Sequence, residues 1–264
     1  MDLQLTIQAA NFVLAAEALA PKANHDGKIY YGHAVIQTIY SNDLATDISP
    51  NIDPIRDCVS IGYVARSTQS PDDYVIAIRG TANIWEWIQD AKLLPKSFPF
   101  VSGAGLTEDG FTDMYCSFRT GVDPKSARLT PTLASLLGSS ATTNLTICGH
   151  SLGAALATLL ALDVVMNTPY THPIVYTFAS PRVGDLTFSH LFNSVVPGCF
   201  RIANRNDVVT HLPTPPLYFH VGDDDELIPG SSVANNVLCQ HHLTTYLFLL
   251  DKGATPLNAE CVPK

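Results

Sequence analysis

The sequence predicts an α/β fold, a mostly parallel central sheet with covering helices. Three observations predict it. Short runs rich in Val, Ile, Tyr and Phe alternate with stretches of helical composition. Several of those runs are continuously apolar, as strands covered on both faces are. No repeat, low-complexity tract or Gly/Ser linker divides the chain, so a single domain over residues 1–264 is the simplest expectation.

The elements follow in order. Leu3 to Leu19 reads as an amphipathic first helix. Ala18-Leu19-Ala20 looks like a signal-peptide cleavage site, but Asp2 replaces the positive n-region, and Gln8 and Asn11 interrupt the apolar part. The polar, proline-containing stretch Ser41–Arg56 reads as a long surface loop. Strands are expected over Val59–Val64, Tyr74–Ile78, Asn144–Cys148, Ile174–Phe178, Phe200–Ala203 and Leu217–Val221. Helices are expected over Ala82–Lys92, Gly110–Arg119, Ser126–Leu137, Leu152–Met166 and His241–Leu250. The acidic run Asp223–Glu226 reads as a solvated loop.

Composition narrows the function classes. With 46% hydrophobic and 15% charged residues, the chain is not disordered. A net charge of −9 without any Lys/Arg cluster excludes a nucleic-acid partner. It also disfavours docking on anionic membranes, though not contact with neutral lipid. The best apolar run, Leu152–Leu162, is far shorter than the about 20 residues of a membrane span, so no transmembrane segment is expected. The six cysteines, at 58, 116, 148, 199, 239 and 261, form no Cys-x-x-Cys pair, which removes zinc and thioredoxin-type readings. Cys148, inside an apolar run, is expected to be a buried free thiol. One or two disulfides fit, Cys239–Cys261 foremost, with connectivity, compartment and oligomeric state left open. No His-Glu-x-x-His or comparable spacing occurs, so neither metal nor cofactor is expected.

The most informative segment is Asn144-Leu-Thr-Ile-Cys-Gly149-His150-Ser151-Leu152-Gly153, followed by an Ala/Leu-rich helical stretch. It places Gly-x-Ser-x-Gly between a strand and a helix, the context a nucleophile elbow needs. Gly149 and Gly153 remove side chains where the sharp turn brings backbone segments together. Ser151 Oγ would then stand exposed over a helix N-terminus, and the Leu152 N–H would serve as an oxyanion donor. A serine hydroxyl needs a base to remove its proton, and this fold orders the partners Ser, Asp/Glu, His along the chain.

For the acid, Asp207 lies just past the Phe200–Ala203 strand, and Asp185 is the rival, with a cap or a loop ion pair as its structural alternative. For the histidine, four of the nine lie downstream: His211, His220, His241 and His242. His211 is close in sequence to Asp207, and His220 reads as a satisfied buried histidine within a strand-like run. The pair His241-His242 opens a late helix, and local chemistry does not choose between them.

These residues resemble the class 3, or filamentous-fungus-type, lipases of the α/β-hydrolase superfamily. The resemblance runs from about Val59 to Leu247. Besides the elbow it includes Ile76-Ala-Ile-Arg79-Gly80-Thr81, Ile84-Trp85-Glu-Trp87-Ile88-Gln-Asp90, Phe178-Ala-Ser-Pro-Arg182-Val-Gly184-Asp185, Asn204-Arg-Asn-Asp207-Val-Val-Thr-His-Leu-Pro213 and Tyr218-Phe-His220-Val-Gly222. The resemblance implies an α/β-hydrolase fold with a short helical lid. It selects Asp207 over Asp185 and gives His220 a structural role. It favours His241 as the base, because four residues separate it from Tyr246, with His242 as the alternative. It also implies that Thr81 joins Leu152 in binding the oxyanion. One departure stands out: the family usually has a His two residues before Gly-Phe, and here Glu108 precedes Gly110-Phe111.

The implied activity is carboxylic-ester hydrolysis through an acyl-enzyme on Ser151, a triacylglycerol lipase first. Feruloyl-type or general short-chain esterase and phospholipase A1 are the enzymatic alternatives, and an inactive lipid-binding protein is the non-enzymatic one. The expected partner is an acylglycerol or other ester, met at a lipid–water interface. Ile84, Trp85, Trp87 and Ile88 would form the lid, with Trp85 the better placed for lipid contact and Trp87 and Ile88 open to a core-packing role.

Overall fold

The computed structural model describes residues 2–19, 23–42, 58–81, 94–138 and 143–263. Its strands are β1 (Ile29–Tyr30), β2 (His33–Asn42), β3 (Cys58–Ser67), β4 (Asp73–Ile78), β5 (Pro95–Ser97), β6 (Leu106–Glu108), β7 (Asn144–His150), β8 (Ile174–Phe178), β9 (Cys199–Asn204) and β10 (Asp223–Leu227). Its helices are α1 (Leu3–Glu17), α2 (Asp109–Cys116), α3 (Leu129–Leu137), α4 (Leu152–Asn167), α5 (Leu186–Val195), α6 (Val237–His241) and α7 (Leu243–Leu250). The main sheet runs β1-β2-β3-β4-β7-β8-β9-β10, and β5 and β6 make a separate hairpin. Pairing is antiparallel from β1 to β4 and parallel from β4 through β7, β8 and β9 to β10.

The continuous apolar runs are explained by burial on both faces. Along β4, Tyr74, Ile76 and Ile78 enter one core, while Val75 and Ala77 enter the other. The first core lies between the sheet and α2 to α5, through side chains such as Tyr115, Leu133, Leu156, Leu160 and Phe188. The second lies under α1 and α7, through Ala10, Val13, Tyr246 and Leu247. Helix α4 is buried from Leu152 to Val164 on every face, as an all-apolar helix in a large core must be. Helix α1 begins where the Asp2 carboxylate accepts from Gln4 N at 2.9 Å and Leu5 N at 3.2 Å.

Two expectations fail at the sheet edge. Leu217–Val221 is not a strand; only Phe219 forms a bridge, to Gly184. Pro215 and Pro216 precede it and offer no N–H to a ladder. The neighbouring acidic run, expected as a loop, is the edge strand β10, parallel to β9. Arg201 and Arg205 make this possible: Arg201 Nη2 lies 2.7 Å from Asp224 Oδ1, and Arg205 Nε donates to Glu226 Oε2 at 3.0 Å. Acidic side chains on an exposed edge also discourage strand addition by another chain. Strand β2 and helix α5 were not legible in the sequence. The expected helix His241–Leu250 is broken, because His242 takes an extended conformation between α6 and α7. The expected helix Ala82–Lys92 lies outside the described residues.

Cys239 and Cys261 form a disulfide with a Cα–Cα distance of 5.2 Å, and Cys58, Cys116, Cys148 and Cys199 remain thiols. Burial pushes the Cys148 thiol up, in keeping with an inert core group. The bridge closes 22 residues of chain around α6 and α7, so Cys261→Ser is expected to lower stability by about 3 kcal/mol in urea denaturation. An unchanged midpoint would show that the bridge constrains nothing in the unfolded chain.

Candidate active site

The C-terminal ends of the parallel strands β7 and β9 supply the central residues. Strand β7 ends at His150, and α4 starts at Leu152, so Ser151 alone makes the turn. Ser151 has φ 58° and ψ −126°, a conformation that is strained for any residue with a side chain. Its N–H donates to Phe178 O at 2.9 Å, which ties the turn to β8. The flanking glycines are required by close approach. A Cβ on Gly149 would lie 2.2 Å from Gly153 O, and one on Gly153 would lie 2.4 Å from Arg79 O.

The structure brings together Ser151, His241 and Asp207. Ser151 Oγ lies 2.8 Å from His241 Nε2, and His241 Nδ1 lies 2.8 Å from Asp207 Oδ2. With Nδ1–H donating to the carboxylate, Nε2 can accept the serine proton. Burial holds His241 below the usual histidine range, and His150 and His242 push it the same way, against the opposing pull of Asp207. The ring is therefore a neutral imidazole at neutral pH, as a base must be.

Asp207 is fully buried, and both of its oxygens are hydrogen-bonded. Oδ1 accepts from Val209 N at 3.0 Å, and Oδ2 accepts from Tyr246 O–H at 2.7 Å besides His241. Tyr246 O in turn accepts from Asn204 N at 3.0 Å. Asn204 Nδ2 donates to Gln240 O and Oε1, both at 2.8 Å, which fastens the end of β9 to α6. In the sequence, Tyr246 is only a spacing marker. Its bond to Asp207 is the physical content of that spacing.

The rival residues lie elsewhere. His242 is half-buried and its Nε2 lies 3.8 Å from Glu260 Oε1. His220 is held by Thr210 O, 2.8 Å from its Nε2, and burial pushes it down to about 3. His211 is exposed. Asp185 caps α5, accepting from Phe188 N at 2.8 Å. Glu108, standing where the resemblance expects a histidine, caps α2 by accepting from Phe111 N at 2.7 Å, and burial pushes its carboxyl up to about 6.

Of the expected oxyanion donors, Leu152 is the first residue of α4, in the turn whose N–H groups have no intrahelical acceptor. Thr81 follows Gly80, and a Cβ on Gly80 would lie 3.3 Å from Ser151 Cβ, so this loop runs directly beside the serine. Ile84, Trp85, Trp87 and Ile88 lie outside the described residues.

A serine on the turn after a central parallel strand, with the acid and then the histidine later in the chain, is the arrangement of the α/β-hydrolase fold. Lipase II from Rhizopus niveus shares that fold, with a TM-score of 0.66 and 23% identity over 85% of this chain and 80% of the other. The family model for Lipase (class 3) matches residues 75–216, more than half of the 264, and the chain belongs to that family. Among curated relatives, the Rhizomucor miehei lipase is 30% identical over 69% of this chain and 48% of its own length. Phospholipase A1-II 4 of Oryza sativa subsp. japonica is 35% identical over 71% of this chain and 54% of its own. The chain thus spans about half the length of the curated relatives it matches.

Proposed function

We propose that this chain hydrolyses carboxylic esters, acylglycerols first, by acyl transfer through Ser151. The observation that carries the reading is the unbroken hydrogen-bond chain Ser151–His241–Asp207 on a strained strand-to-helix turn. In this reading Ser151 Oγ attacks the ester carbonyl carbon while His241 Nε2 takes the hydroxyl proton. The tetrahedral oxyanion is bound by the Leu152 and Thr81 N–H groups, and by the Thr81 hydroxyl. His241 then delivers its proton to the leaving alcohol oxygen as the carbon–oxygen bond breaks. Water, deprotonated by the same nitrogen, releases the acid from the acyl-enzyme. Asp207 holds the Nδ1–H tautomer throughout and stabilises the imidazolium.

The apolar lid sequence around Trp85 and Trp87 supports a lipid substrate met at an interface. A phospholipase A1 reading is the second, favoured by relatives of that name such as phospholipase A1-II 4. The test is hydrolysis of p-nitrophenyl esters from acetate to palmitate, beside emulsified triacylglycerol and phosphatidylcholine vesicles, with Ser151→Ala as control. Cleavage of long chains and of the emulsion, lost in the variant, is expected. Preference for the vesicles would select the phospholipase reading. Activity confined to short soluble esters would overturn both.

A further inference from the structure

The residue before the serine belongs to a second histidine–carboxylate pair. His150 is buried, at 6% exposure, with both ring nitrogens engaged. Nδ1 lies 2.9 Å from Glu17 Oε1, at the end of α1, and Nε2 lies 2.8 Å from the main-chain oxygen of His241. A carbonyl oxygen only accepts, so Nε2 carries a hydrogen. An ionised carboxylate also only accepts, so Nδ1 carries one as well. The ring is then an imidazolium, paired with Glu17 and lying 4.9 Å from the His241 ring, centroid to centroid.

We propose that His150 is a positioning residue that also acts electrostatically. Held as a cation by Glu17, it fixes the His241 main chain and keeps the His241 ring unprotonated at acid pH. The inference rests on the reading of His241 as the base. A positive charge beside a second imidazole opposes its protonation, and the acid limb of kcat/KM reports that protonation in the free enzyme. Burial alone would pull His150 down, but the bonds to Glu17 and to His241 O, with Asp207 nearby, outweigh it and hold it raised.

The titratable and charged groups near the pair, among the described residues, come from several elements. Glu17 comes from α1, Asp207 from the end of β9, His241 from α6 and Tyr246 from α7, with its ring 6.2 Å from that of His150. His242 stands beside His241. Just past β4, a Cβ on Gly80 would lie 3.1 Å from His150 Nδ1, and the neighbouring Arg79 guanidinium is turned to Ser60 O and Gly80 O. None of these replaces Glu17 as the acceptor at Nδ1.

The test is the pH profile of kcat/KM on a soluble p-nitrophenyl ester for His150→Gln and Glu17→Gln, beside Ser151→Ala. Glutamine at 150 can still donate to His241 O without a charge. Glutamine at 17 can donate to Nδ1 and leave a neutral His150. In both, the acid limb is expected to move up by about 0.6–2.5 pH units, the range for unit charges about 5 Å apart between water-like and protein-surface dielectrics. A purely structural role would lower the whole profile without moving the limb. An unmoved or lowered limb in both variants overturns the proposal, as does a ¹⁵N spectrum showing a neutral His150 ring in the wild-type enzyme at pH 7. If Ser151→Ala keeps its activity, the acyl-transfer reading fails instead, and the two failures are told apart.

Discussion

Ser151→Ala is expected to lower kcat for ester hydrolysis by about 10⁵–10⁶-fold while leaving the fold intact. The loss is this large because the hydroxyl and its base act as one unit, and alanine has no group that can form the acyl bond. The hydroxyl sits on the strained turn and faces His241 Nε2. His241→Ala should cost nearly as much, and the double variant hardly more than either single one, because the two act as one unit. Alanine fits the space, although it inherits the positive φ of 58° and relieves none of that strain. Circular dichroism and the unfolding midpoint would establish that the protein is folded. A residual rate within tenfold of wild type would remove Ser151 from the reaction.

Asp207→Asn is expected to cost about 10⁴-fold in kcat. The hydrogen bonds around Asp207 give the reason. Val209 N–H donates to Oδ1, so an asparagine carbonyl would take that place and its NH₂ would take the place of Oδ2. There it would face His241 Nδ1 as a donor, forcing the hydrogen onto Nε2 and leaving no acceptor for the serine proton. It would also leave the Tyr246 hydroxyl without its buried acceptor, so some loss of stability should accompany the loss of rate. Steady-state kinetics on a soluble ester checks the first effect, and thermal unfolding checks the second. A loss of less than tenfold in kcat would mean that His241 keeps a working tautomer without the carboxylate.

What was legible in the sequence is what local chemistry dictates. The elbow could be read because Gly149 and Gly153 are needed by the turn itself, within a few residues of Ser151. Asp207 could be placed because a polar break follows an apolar strand. His241 and His242 could not be separated by local reasoning, since they are adjacent. What separates them is a change of backbone direction: His241 closes α6, and His242 is extended before α7. Strand β10 was invisible because four acidic residues in a row have poor strand propensity, and the arginines of and beside β9 compensate from a distance in the sequence. The Glu17–His150 bond joins residues 133 apart in sequence, and nothing in the pattern around either one signals the other.

The most direct measurement is covalent capture of the nucleophile. The protein would be treated with diethyl p-nitrophenyl phosphate, digested and analysed by mass spectrometry. One diethylphosphoryl group is expected on the peptide that contains Ser151, formed in proportion to the loss of ester hydrolysis, with none in Ser151→Ala and slow formation in His241→Ala. Full inactivation with that peptide unmodified, or full modification of Ser151 with hydrolysis undiminished, would contradict it.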